Sequence, residues 1–230
     1  MIRQKISRAH STERTETNSG LSGAAEDTNR SEFDMPAMYW NHNSAYYPWV
    51  KRRTAGCRTI LDAGCGDGSL AAFLSDGAKK IVGIDPDRDC IEKALAANTG
   101  ENLHFSCCSF EEYSPGWTFD AVVFAASIHH IDMTRALKKA KSLLSPSGTI
   151  LIIGIAKPTT IADWALEVSR VIPSKIISAL HHMRTSEELG IPTSYDFPEI
   201  KEKREIVKRE LPGAGMRYGL HYRYLVEWSA

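Results

Sequence analysis

Leu61-Asp62-Ala63-Gly64-Cys65-Gly66-Asp67-Gly68 decides the reading of this chain. A short apolar strand, Thr59-Ile60-Leu61-Asp62, runs into a turn with three glycines. Ser69-Leu70-Ala71-Ala72-Phe73-Leu74 then has helical apolar spacing. Glycine belongs where the backbone takes positive φ or where a ligand lies against the main chain. The open N–H groups at a helix start favour a polar or anionic ligand group, and in an open α/β sheet this crevice is the default ligand site.

Outward from the turn, strands and helices alternate. Lys80–Asp85 reads as a second strand ending in an acid, and Asp87–Asn98 as a helix with Cys90, Ile91, Ala94 and Leu95 on one face. Leu103–Cys107 is a third strand, Phe119–Phe124 a fourth and Thr149–Ile155 a fifth. Met133–Leu144 is a helix with Asp132 as its N-cap, ended by Pro146-Ser147-Gly148. Near-continuous apolar strands alternating with helices predict a parallel sheet covered on both faces. Beyond Ile155 the pattern changes. A helix is expected over 159–172, an irregular stretch over 173–197 and a charged, exposed helix over 199–210. Met216–Trp228 reads as a terminal strand pair, more suited to a hairpin than to another crossover.

The 230-residue chain is long enough for one sizeable domain. Its 43% hydrophobic content fits a globular protein and is too low for a membrane bundle. No apolar run approaches the ~20 residues needed to span a bilayer, and no apolar segment follows the charged N-terminus as a secretory signal requires. Lys plus Arg and Asp plus Glu both number 28, a balance that argues against gripping nucleic acid through phosphate neutralisation. Five cysteines, with no Cys-x-x-Cys spacing, read as reduced thiols of a cytoplasmic protein without a structural zinc. The stretch STERTETNSGLSGAAEDTNRSE, residues 11–32, carries one large aliphatic side chain, Leu21, and residues 1–32 are expected to be a disordered tail. Tyr39–Trp49 then packs five aromatics into eleven residues.

The ligand can be narrowed from the residues. A dinucleotide fingerprint needs Gly-x-Gly-x-x-Gly/Ala, and its third position falls here on Ser69. Asp62, just ahead of the glycines, suits the ammonium group of an amino-acid moiety. Asp85 follows it by 23 positions, close to the ~20-residue spacing at which an acid reaches a ribose diol. A nucleoside with an amino-acid tail fits both.

LDAGCGDG, IVGIDPD, FDAVVFAASIHHI and LLSPSGTILIIG, in that order over about residues 57–156, resemble the class I S-adenosylmethionine-dependent methyltransferases, of the small-molecule, UbiE-like type. The resemblance implies an α/β, Rossmann-like, mostly parallel seven-stranded sheet of order 3-2-1-4-5-7-6 with helices on both faces and an antiparallel last strand. It implies S-adenosyl-L-methionine as cofactor and S-adenosyl-L-homocysteine as product. By the same resemblance Asp62, Gly64 and Gly66 face the methionine moiety, Asp85 holds the ribose hydroxyls and Pro86 lies beside the adenine. Cys108, Ser109 and Phe110 match the adenine-contacting loop, though the acid common at Cys108 or Ser109 is missing. Ala125 and Ala126 approach the sulfonium. The domain would comprise a lid over 33–56, a cofactor core over 57–156, an acceptor-pocket region over 157–210 and the strand pair over 211–230.

Several side chains carry two readings. Cys65 occupies a place where the family commonly has a non-catalytic Cys, and Cys107-Cys108 reads as packing. His129 and His130 follow strand four, where an imidazole could take a proton from an acceptor, or simply hold structure. His181-His182 offers substrate contact or, less well, a metal ligand. Tyr39, His42 and Tyr47 either close a lid over the site or pack an N-terminal helix. Lys51-Arg52-Arg53 reads as a solvated helix end. Ala126-Ser127-Ile128-His129 stands where Asn/Asp-Pro-Pro-Tyr/Phe would mark adenine or glutamine methylation. A small or medium organic acceptor, with methyl transfer to O, N or C, is therefore expected. An RNA- or protein-directed methyltransferase and a cofactor-binding module without transfer activity stay open as alternatives.

Overall fold

The computed structural model describes residues 42–155, 200–219 and 223–230. The expected tail, Tyr39, the helix over 159–172 and His181-His182 lie outside the described residues.

Seven strands form one sheet in the order β3-β2-β1-β4-β5-β7-β6. They are β1 (Thr59–Ala63), β2 (Lys80–Asp85), β3 (Leu103–Cys107), β4 (Phe119–Ala125), β5 (Leu144–Ile155), β6 (Gly215–Tyr218) and β7 (Arg223–Ser229). β1 to β5 pair in parallel, whereas β7 runs antiparallel to both β5 and β6. The expected strand order and the antiparallel last strand are both present. β7 starts at the edge where the parallel strands end, so Arg223 faces Ile155.

Period-two alternation divides the core between the two faces of the sheet. Val122 and Phe124 join Leu61, Ile84, Ile150 and Ile152 beneath α4 (Met133–Leu143) and the helix Ile200–Glu210. Ala121 and Val123 join Ile60, Ile81, Leu151 and Ile153 against α1 (Tyr47–Arg53) and α2 (Ser69–Leu74). Full burial of one such aliphatic side chain contributes about 1.5–3 kcal/mol. β4 and β1, flanked on both sides, are almost wholly buried, while β3 at the edge exposes His104, Ser106 and Cys107.

Local chemistry sets the helix limits. Pro48 lies in the first turn of α1, where a missing N–H loses no hydrogen bond, and Lys51, Arg52 and Arg53 sit at the C-terminal end favoured by the helix dipole. Asp87 caps α3 (Arg88–Ala97) by accepting from the N–H groups of Asp89 and Cys90 at 2.9 and 3.2 Å. Asp132 caps α4 through the Arg135 N–H at 3.0 Å. Met133, Ala136, Leu137, Ala140 and Leu143 form the buried stripe of α4.

One boundary departs from expectation. β5 begins at Leu144, directly after α4, rather than at Thr149. Phe119 pairs with Leu144 and Ala121 with Thr149, so Ser145–Gly148 bulge out of the ladder, with Ser147 at φ +65°. The residues expected to separate helix from strand are an irregularity within the strand. The expected charged helix is present, but it buries Ile200 and Val207 and so is not a purely exposed face.

Candidate functional site

Parallel strands bring their C-terminal ends to one edge, which places Asp62 and Ala63, Asp85, and Ala125 side by side. The glycine turn is tied to β2 by its backbone: Gly64 and Cys65 N–H both donate to Ile84 O, at 2.8 and 3.0 Å. Asp85 fastens the next residue. Its carboxylate accepts from Gly66 N–H at 3.0 Å and from Asp87 N–H at 2.9 Å. Asp67 accepts from the Ser69 N–H and hydroxyl at 3.1 and 2.6 Å, which fixes the start of α2.

Gly64 has φ +76°, and a Cβ there would lie 2.3 Å from the Ser127 Cβ. Packing therefore forces this glycine. Gly66 differs. It has φ +53°, yet nothing stands within 4 Å of where its Cβ would be. The turn presents a bare backbone face to the crevice.

Asp62 has no exposure, and neither carboxylate oxygen has a hydrogen-bond partner among the described residues. Burial, then the charges of Asp85 and Asp67, push its carboxyl up to about 7. An orphaned buried carboxylate is costly and calls for a cationic partner. Three carboxylates around one glycine turn suit a ligand bearing an ammonium or sulfonium. They oppose the pyrophosphate of a dinucleotide. The residues present thus fit S-adenosylmethionine.

Tyr47, in the first turn of α1, is 6% exposed and its ring leans on Phe73 at 5.8 Å. Burial, then Asp62 and Asp67, raise its hydroxyl well above the ordinary tyrosine range, which sets the phenol near the turn's acids. On the β3 side, Cys108 N–H donates to Asp85 O at 3.1 Å and brings the following loop against β2. Ser109 Oγ donates to Glu112 at 2.9 Å. Phe110 is buried edge-on against Phe124, with ring centroids 5.1 Å apart, so its ring belongs to the core. Pro86 is exposed beside Cys107, whose thiol reaches Pro86 O at 3.5 Å. Packing describes Cys108, which leans on the core, but not the exposed Cys107. Cys65 is buried, and burial with Asp62 and Asp85 drives its thiol far above the ordinary range, which disfavours the thiolate.

After β4, Ala125 is half-buried and Ala126 takes φ +59°. Ile128–His130 form a 3-10 turn. The two imidazoles stack tilted with centroids 4.0 Å apart, His129 half-buried and His130 exposed. Burial, followed by His130, Arg223 and Lys203, holds His129 down at about 4, so it is neutral at neutral pH. Burial also lowers Arg223 to about 10, and Asn43 Oδ1 accepts from its Nε and Nη2 at 2.9 and 2.7 Å.

Two contributors escaped the sequence reading. Ser127 donates its hydroxyl to Ala63 O across 64 positions, and Arg223 reaches Asn43 across 180. Ser127 lies in a motif quoted for what it lacks, and nothing marks Arg223 in sequence. Among the described residues no three His, Cys, Asp or Glu side chains gather as a metal site requires, and no helix is long and apolar enough to cross a membrane.

Comparison with known proteins agrees with this geometry. A methyltransferase domain family matches residues 60–148. An uncharacterised methyltransferase of Mycobacterium tuberculosis (strain H37Rv) is 30% identical over 203 residues, covering 83% of this chain and 97% of its own. The mitochondrial ubiquinone biosynthesis O-methyltransferase of Homo sapiens is 30% identical over 130 residues, covering 53% of this chain and 35% of its own. A plantazolicin methyltransferase, solved with a desmethyl-plantazolicin analogue and S-adenosylhomocysteine, superposes with a TM-score of 0.54 at 16% identity over 85% of each chain. The chain belongs to the class I S-adenosylmethionine-dependent methyltransferases. It is a methyltransferase enzyme whose cofactor is S-adenosylmethionine and whose product is S-adenosylhomocysteine.

Proposed function

We propose that this enzyme methylates an O, N or C atom of a small or medium organic acceptor, with the turn at Asp62 as the cofactor site. The orphaned, fully buried Asp62 carboxylate carries the reading. In this reading Asp62 receives the ammonium of the methionine moiety, and the bare face at Gly66 lets that moiety lie against the backbone. Asp85, already oriented by two N–H groups, has lone pairs left to accept from ribose hydroxyls. Cys108 and Ser109 border the adenine with Pro86. Tyr47, with His42 from the preceding segment, covers the methionine end and excludes water. Ala125 and Ala126 keep the space before the methyl group clear.

The bound cofactor supplies a methyl group already activated on a sulfonium. The protein's work is then alignment in a desolvated pocket. His129 and His130 stand on the acceptor side. A neutral imidazole with so low a basicity suits His129 to accepting a hydrogen bond from the acceptor and orienting it, rather than to stripping a strongly held proton. The balanced charge and the likeness to enzymes named for ubiquinone biosynthesis and plantazolicin favour a small-molecule acceptor over nucleic acid. The sparse cysteines, without Cys-x-x-Cys spacing, accord with action in the cytoplasm.

Incubation with methyl-labelled S-adenosylmethionine and three acceptor pools tests this: small metabolites, total RNA and total protein from a cell extract. Label in the small-molecule pool is the expected result. Label confined to RNA or protein would overturn the acceptor class, and S-adenosylhomocysteine binding with no transfer to any pool would point to a cofactor-binding module.

A further inference from the structure

We propose that Ser127 is a positioning residue that locks the glycine turn to the histidine turn, so that the cofactor side and the acceptor side of the site are set by one side chain. The β1–β4 ladder has its last rung at Asp62↔Val123. One residue further on, Ser127 Oγ donates to Ala63 O and supplies the next link by a side chain. Its Cβ fills the space against Gly64, where any larger residue would collide at 2.3 Å. Turn and serine are thus interlocked by a hydrogen bond and by contact.

The preceding backbone aims the serine at this place. Ala126 holds a left-handed conformation at φ +59°, uncommon for a residue with a Cβ, and its N–H donates to Ile153 O at 2.7 Å. Such strain persists where the surroundings over-determine it, and it concentrates at functional sites. The reversal lets Ser127 reach back over the end of β1. The same residue acts in the other direction through its main chain, since Ser127 O accepts from His130 N–H at 3.1 Å and closes the turn that carries His129. Gly64 is held from its far side by Ile84 O. The turn beside Asp62 is therefore clamped between β2 and Ser127, and a shift of the histidine turn is passed directly to it.

The binding arm of the test rests on the cofactor reading above; the exchange arm does not. Ser127→Ala keeps the shape and removes the hydroxyl, and Ser127→Thr keeps the hydroxyl. Leu137→Ala, in the core beneath α4, serves as a control for general loss of stability. In Ser127→Ala, exchange of the Gly64 and Cys65 amides in the ligand-free protein should quicken about tenfold, with core strands unchanged. The dissociation constant of S-adenosylhomocysteine, by calorimetry, should rise about fivefold, as for loss of one hydrogen bond. The His129 resonances should shift as well. Ser127→Thr should restore most of the affinity, and Leu137→Ala should leave both readouts near native. Native exchange and affinity in Ser127→Ala would overturn the proposal. So would a loss of affinity matched by Leu137→Ala at equal loss of thermal stability. If the native protein fails to bind S-adenosylhomocysteine, the cofactor reading fails, and amide exchange still decides whether Ser127 locks the turn.

Discussion

Asp62→Asn should make the ligand-free protein more stable at pH 8 while removing its affinity for S-adenosylhomocysteine. The carboxyl rises from its ordinary 3.8 to about 7 in the folded chain. A carboxyl raised in this way keeps its proton when folded after the unfolded chain has lost it. Native stability therefore falls as pH rises from 3.8 to about 7, and is flat above. At about 1.36 kcal/mol per pH unit, the native state carries a penalty of about 4 kcal/mol at pH 8, an upper bound. A buried amide at this place would leave its own donors unsatisfied, at about 1–3 kcal/mol. The net gain is then about 1–3 kcal/mol, or about 3–8 °C in melting temperature for a chain of this size. Between pH 7 and pH 5 the penalty relieved shrinks by about 3 kcal/mol, so at pH 5 the variant should lose its advantage. Thermal unfolding at both pH values, with calorimetric titration at pH 8, reads the outcome. A variant less stable than native at pH 8 that still binds S-adenosylhomocysteine normally would refute the reasoning, because it would mean that Asp62 is neither an uncompensated buried charge nor a cofactor ligand.

Three further outcomes are expected. His129 should stay neutral from pH 8 down to about 5 by NMR, and the depressed imidazole makes stability fall as pH drops from 6.5 toward 4; a midpoint near 6.5 would contradict its placement. Gly64→Ala must take φ +76° and meet Ser127 at once, so urea unfolding should show a loss of about 2 kcal/mol or more. With an alkylating reagent under native conditions, mass spectrometry should find Cys107 modified first and Cys65 unmodified, since one thiol is exposed and the other buried with its ionisation suppressed.

The elements were legible where one local rule governs them. β2 was readable to the residue because an apolar run ends in an acid, and the N-caps Asp87 and Asp132 announce their helices by side-chain chemistry. The position of β7 between β5 and β6 came from family resemblance, since no hydrophobic pattern dictates which neighbour a terminal strand chooses. β5 was misjudged because Pro146-Ser147-Gly148 carry turn chemistry, yet ladder pairing continues on both sides of them. Asp62, Asp85 and the glycines were visible because one contiguous turn and one strand end supply them. Ser127, Arg223 and the core role of Phe110 were not, because each depends on a partner brought close only by the folded sheet. That Asp62 has no partner is likewise a property of the assembled edge, with no counterpart in composition.

The most direct test of the account is a calorimetric titration of the full chain with S-adenosylhomocysteine and, separately, NADH, repeated on Asp85→Ala. That substitution removes the acceptor for the Gly66 and Asp87 N–H groups. Micromolar binding of S-adenosylhomocysteine by the native protein, no binding of NADH, and loss of the first in the variant are the predicted results. Binding of NADH, or an undiminished affinity for S-adenosylhomocysteine in Asp85→Ala, would contradict the site described here.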